Sequence, residues 1–129
     1  MLSRRTWLAA AATVPLLILG QPTFAAEKFT DAALEAAQKA GKPVLVEVAA
    51  PWCPTCKAQR PIIDKLAATD KFKGFVLLTV DFDTQKDTLR KLNARSQSTL
   101  IVYKGATEVG RSVGDTNPAS VEALLAKAL

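Results

Sequence analysis

Apolar residues follow two rhythms along this chain, and the rhythms alternate. Val44 to Ala49 is a short apolar run interrupted only by Glu47. Its length and β-branched content predict a buried strand. Phe75–Asp81 is a second such run. Thr99–Tyr103 and Glu108–Val113 flank a turn containing Gly105 and predict a hairpin. Around these runs the spacing becomes helical. Thr30 is an N-cap, with Phe29 and Leu34 placed to clasp the first turn, and that helix runs to about Ala40 before Gly41 ends it. A longer helix is expected from Pro54 to about Thr69, kinked at Pro61, where one backbone donor is missing. Thr84 is the expected cap of a helix reaching about Asn93. Asn117-Pro118 opens the last helix, with Val121, Leu124, Leu125 and Leu129 on one face. Strands alternating with helices ahead of a hairpin predict an α/β fold, a mixed central sheet flanked by helices.

The amino terminus has a different character. Arg4 and Arg5 precede an apolar stretch from Leu8 to Leu19, and Thr23-Phe24-Ala25 offers small residues at the usual cleavage positions. This is the layout of a secretory signal peptide. The apolar stretch is interrupted by Pro15, and it is shorter than the roughly 20 residues that span a bilayer. Ser3-Arg4-Arg5-Thr6-Trp7-Leu8 also fits a twin-arginine signal, so the Sec and Tat routes both stay open. The expected organisation is a signal peptide at 1–25, one domain at 26–129 and export to the periplasm. The net charge of +5 falls to +3 once Arg4 and Arg5 are removed. With no basic run and no interleaved aromatics, nucleic acid is not an expected partner.

The candidate chemistry lies in Cys53 and Cys56, the two cysteines of the chain. Two intervening residues let the sulfurs meet across the first turn of a helix. Pro54 falls at the first helical position, which tolerates proline because its N–H lacks an intrahelical partner anyway. Cys53 is then the N-cap. A thiolate there accepts hydrogen bonds from free N–H groups and feels the positive end of the helix dipole. Both effects favour the reactive thiolate. The spacing therefore predicts a nucleophilic Cys53 and a resolving Cys56. A closed zinc site would need more ligands, and the chain has no second cysteine pair and no histidine. A purely structural disulfide would close too small a loop to constrain the unfolded chain much.

In this setting the pair resembles the active site of the thioredoxin superfamily. The strand Val44–Ala49 leads into Trp52-Cys53-Pro54-Thr55-Cys56-Lys57, and Pro61 follows five residues after the second cysteine. Asp81-Phe82-Asp83 ends a later strand, and Ser98 to Gly105 is similar to the family's last hairpin. The likeness runs from about Phe29 to Leu129. It implies a thioredoxin-like fold and a reversible dithiol/disulfide that needs no bound cofactor. It also implies a proton-transfer role for Glu47. Thioredoxins carry a buried aspartate at the matching place, six positions before the first cysteine, serving the resolving cysteine. A buried carboxyl has a raised pKa, closer to the range useful at neutral pH. Trp52 is expected to shield the disulfide and shape the docking surface, and Lys57 either supports the thiolate or is simply solvated.

One departure stands out. Where thioredoxins place a cis-proline opposite the cysteines, this chain has Ser98, and no proline lies between Pro61 and Pro118. A cis bond before a non-proline residue costs about 2.5–4 kcal/mol, so Gln97–Ser98 is expected to be trans. In the family this loop gives backbone hydrogen bonds to an extended peptide, which makes Gln97 and Ser98, with Trp52, the expected substrate-binding residues. The proline also helps to keep metals off the thiols.

The resulting expectation is a monomeric periplasmic thiol–disulfide oxidoreductase acting on protein disulfides and dithiols. Strong oxidants of this fold commonly hold a histidine between the cysteines, and here Pro54-Thr55 stands there. Reduction or interchange is therefore expected, sustained by a membrane-bound electron donor. The alternative is a thiol-dependent copper-binding or assembly module, since copper(I) favours soft thiolates.

Overall fold

Each of the expected apolar runs pairs with another along its backbone, and together they form one five-stranded sheet. The computed structural model describes residues 26–129, so the signal peptide expected at 1–25 lies outside the described residues. The strands are β1 (Glu27–Lys28), β2 (Val44–Ala49), β3 (Val76–Asp81), β4 (Thr99–Lys104) and β5 (Thr107–Val113). Their order across the sheet is β1-β3-β2-β4-β5. β1, β3 and β2 run parallel, and β4 is antiparallel to both β2 and β5. The helices are α1 (Asp31–Lys39), α2 (Pro54–Ala67), α3 (Lys86–Lys91) and α4 (Pro118–Ala126). The expected mixed sheet between helices is what forms.

Strand alternation splits the core into two layers. Leu45, Leu77, Leu100 and Val102 pack against Ile63 of α2 and Val121, Leu124 and Leu125 of α4. Val44, Val46, Val48, Leu78, Val80 and Ile101 pack the other way, against Ala37 of α1 and Leu89 of α3. Glu47 alternates with Val46 and Val48, so it points to the α2 side.

Most helix ends follow their local signals. Thr30 Oγ1 accepts from Ala33 N at 3.0 Å, and Phe29 and Leu34 join one apolar cluster as the expected staple. Gly41 takes φ +69° beyond α1, a conformation glycine adopts without a Cβ penalty. Asn117 Oδ1 accepts from Ala119 N at 2.9 Å and Ser120 N at 3.3 Å, ahead of Pro118. α2 continues through Pro61.

Three expectations need correction. Thr84 caps nothing: α3 starts at Lys86 behind Gln85. Asp81 Oδ1 accepts from the N–H groups of Asp83 and Thr84, which winds those residues into a turn of their own. Leu129 is not in the core but 52% exposed. α4 ends at Ala126, and three-residue turns such as Ala128 N to Leu125 O at 3.1 Å rotate Ala128 inward and Leu129 outward. Phe75 precedes β3 rather than opening it, because its N–H is drawn to Phe72 O. The edge strand β1 was not expected at all. Two residues carry no periodicity, and only the exposed edge of β3 defines it.

Candidate active site

The two cysteines lie where β2 ends and α2 begins. They are joined as a disulfide, with Cα atoms 5.3 Å apart. Cys53 is the N-cap of α2 with extended backbone (φ −85°, ψ 109°), Pro54 follows in the first turn, and Cys56 N donates to Cys53 Sγ at 3.1 Å. The helix therefore directs both its dipole and a free N–H at Cys53, as its sequence predicts. Exposure does not separate the two residues, since both are buried. Hydrogen bonding does.

Trp52 immediately precedes the pair and is half exposed. Its Nε1 donates to Asp83 Oδ2 at 2.9 Å, and its ring meets Phe82 edge to face at 6.3 Å. Phe82 in turn packs on the cluster of Ala50, Cys53 and Cys56. Lys57 is exposed on α2.

Glu47 is buried in β2, six residues before Cys53. Its Oε2 accepts from Arg60 Nη1 at 2.6 Å. Arg60 lies on α2 with its side chain 40% exposed, so the cation stays in water while the carboxylate does not. Burial pushes the Glu47 carboxyl above its ordinary pKa, and the Arg60 guanidinium opposes that shift without cancelling it. Arg60 and Thr79 border an open cleft of about 380 Å³, and Thr79 is also the cross-strand neighbour of Glu47. The buried acid thus lies one residue from solvent. Its partner was not expected, since nothing local distinguishes Arg60 from the other cations of the chain.

Ser98 is brought to the same point from the start of β4. No peptide bond among the described residues is cis, so Gln97–Ser98 is trans, as expected. Ser98 is buried, and its Oγ lies 3.1 Å from Cys53 Sγ and 3.2 Å from Cys56 Sγ. Gln97 beside it is half-buried. Ser98 has φ +63° and its N–H donates to Val48 O at 2.8 Å. Proline fits neither condition, because its φ is near −65° and it has no N–H. Ser98→Pro is therefore expected to lower stability by more than about 1 kcal/mol, read from urea unfolding. An unchanged midpoint would show that the loop accepts a proline freely.

Gln59, like Arg60, is a residue that sequence reasoning missed. It is fully buried, and its Nε2 donates to Ser98 O at 3.2 Å and Asp115 O at 2.9 Å. A signal for it existed. Cys56, Gln59, Ile63 and Ala67 repeat at helical spacing on the buried face of α2, so one polar residue sits in an otherwise apolar stripe. Among the described residues, no three His, Cys, Asp or Glu side chains gather to hold a metal.

Comparison with known proteins agrees with this geometry. A thioredoxin family model matches residues 23–127. Thioredoxin Asp f 29 of Aspergillus fumigatus is 33% identical over 101 residues, covering 77% of this chain and 91% of that protein. Thioredoxin-2 of Saccharomyces cerevisiae is 38% identical over 85 residues, covering 66% and 79%. Among solved structures, Trxlp from Edwardsiella tarda is 42% identical with a TM-score of 0.75, covering 78% of this chain and 98% of that one. The match spans the whole sheet as well as the cysteine pair, and this makes the chain a member of the thioredoxin family, a thiol–disulfide oxidoreductase.

Proposed function

We propose that the protein works in the periplasm, reducing or interchanging disulfides of other exported proteins. The observation that carries this reading is the Cys56 N–H on Cys53 Sγ at the head of α2, which favours a thiolate at Cys53. The Arg4-Arg5 and Leu8–Leu19 pattern supports export, and an oxidising compartment suits the chemistry.

The reaction runs in two exchanges. Cys53 S⁻ attacks one sulfur of a substrate disulfide. A Cys53–substrate bond forms, the substrate S–S bond breaks, and its electron pair leaves on the second substrate sulfur. Cys56 then loses its proton, for which we assign Glu47 as the acceptor, and attacks Cys53 Sγ. The mixed disulfide breaks, the Cys53–Cys56 bond closes, and the substrate has gained two electrons. A membrane-bound dithiol donor returns those electrons by the reverse exchanges. Trp52 and the half-buried Gln97 form the surface that an extended substrate meets, while Ser98, whose N–H and C=O are both taken by the fold, lies beneath it against the sulfurs.

Insulin reduction by the purified protein with a dithiol donor, together with thiol trapping in intact cells, tests this reading. Turnover and a substantial reduced fraction of Cys53 and Cys56 are expected. A wholly oxidised pair in vivo would reverse the proposed direction. Absence of turnover with stoichiometric copper in the purified protein would favour the metal-binding alternative.

A further inference from the structure

Ser98 is held in a backbone conformation that its residue type disfavours. At φ +63° a Cβ crowds the chain, and glycine is the usual occupant. A residue stays in such a region only where its surroundings over-determine it. Three contacts do so here. Ser98 N donates to Val48 O at 2.8 Å, and Ser98 O accepts from Gly114 N at 2.9 Å and from Gln59 Nε2 at 3.2 Å. Together they place one hydroxyl almost equidistant from both sulfurs, at 3.1 Å and 3.2 Å, in a site only 3% exposed. A disulfide sulfur has no proton. In the oxidised protein the hydroxyl is therefore the donor, with a single proton for two acceptors.

We propose that Ser98 is a catalytic hydrogen-bond donor that serves whichever sulfur carries the negative charge, and that it thereby sets the redox poise of the pair. The proposal rests on the thiol–disulfide reading above and adds to it the group that biases the equilibrium. When an incoming thiolate attacks Cys53 Sγ, the Cys53–Cys56 bond breaks and its electron pair leaves on Cys56. When the reduced protein attacks a substrate, the charge starts on Cys53. One hydroxyl reaches both positions without any movement of the backbone. Hydrogen bonds to ionised acceptors are roughly twice as strong as those between neutral groups. Ser98 therefore stabilises the thiolate-bearing reduced protein more than the disulfide. It raises the reduction potential and moves the protein from one-way reduction towards interchange.

The test is the equilibrium with glutathione. Glutathione disulfide takes two electrons from Cys53 and Cys56, their S–S bond forms, and their two protons pass to two glutathione thiols. Ser98→Gly removes the hydroxyl and suits the positive φ, whereas Ser98→Ala removes the hydroxyl and keeps the strain. Both variants are expected to raise the oxidation constant about tenfold, which lowers the potential by about 30 mV. The glycine variant should melt at or above the wild-type temperature, and the alanine variant at or below it. A redox shift common to both then follows the hydroxyl and not the stability. A change of less than about twofold in both variants, or a shift in only one of them, overturns the proposal. Failure of the wild-type protein to exchange with either glutathione or insulin would instead overturn the underlying oxidoreductase reading.

Discussion

Cys53→Ser will abolish disulfide exchange, whereas Cys56→Ser will retain the first step and accumulate mixed disulfides. The expected loss of turnover for Cys53→Ser is on the order of 10³-fold or more, because the nucleophile itself is removed. The asymmetry follows from the head of α2. Cys53 accepts the Cys56 N–H at 3.1 Å and occupies the N-cap, where the dipole of a 14-residue helix favours negative charge. Cys56 lies inside the first turn, and its own N–H is the donor in that contact. Since burial treats the two alike, only this local field ranks them. Trapping with a target disulfide, resolved by non-reducing electrophoresis, checks the assignment. Equal trapping by both variants, or trapping through Cys56 alone, would reverse the roles.

Glu47→Gln will slow resolution of the mixed disulfide by on the order of 100-fold near neutral pH, the usual scale of a positioned general base. Single-turnover release of the second substrate thiol, followed from about pH 6 to 9, measures the effect. Rates that match wild type across this range would leave Glu47 a structural residue only. The same substitution has an opposite signature in stability. Burial raises the folded-state pKa of Glu47 above that of the unfolded chain. Well below the ordinary carboxylate range the acid is protonated in both states, and its contribution is fully present. As pH rises from that range through the raised folded value, the unfolded chain releases the proton first, and stability is lost. The glutamine variant does not titrate and escapes this loss. Arg60 keeps 40% of its side-chain surface in water and tolerates losing its partner. Glu47→Gln should therefore equal or exceed wild type in stability at neutral pH, with the gain disappearing in acid. A variant less stable than wild type at neutral pH would show that the ion pair outweighs the burial of the charge.

How much could be read in advance depended on the range of each interaction. The cap at Thr30, the Asn117-Pro118 start and the Cys53 N-cap each need only residues within one helical turn, and all three appear as expected. The expected start of α3 failed because Asp81, three residues before Thr84, drew the local N–H groups into its own turn. The inward position assigned to Leu129 failed because helical periodicity was extended past the last true turn of α4. At the site, Cys53, Cys56, Trp52 and Glu47 stood out by type and spacing. Gln97 and Ser98 were reached only through the family resemblance. Arg60 and Gln59 were not anticipated, because each acts on a group far away in the chain.

By itself the sequence determined the apolar alternation that builds a mixed sheet, the caps that start its main helices and the thiolate-favouring turn around Cys53 and Cys56. These are short-range consequences of periodicity, proline geometry and unsatisfied helix N–H groups, so neighbouring residues suffice. Only the tertiary structure decided what meets that turn. Antiparallel pairing of β2 with β4 carries Ser98, 45 residues from Cys53, onto both sulfurs. Packing of α2 on β2 gives Glu47 its cation and Ser98 its Gln59 clamp. Such contacts depend on register and on the layer into which each face is buried, and neither can be read from the residue types alone.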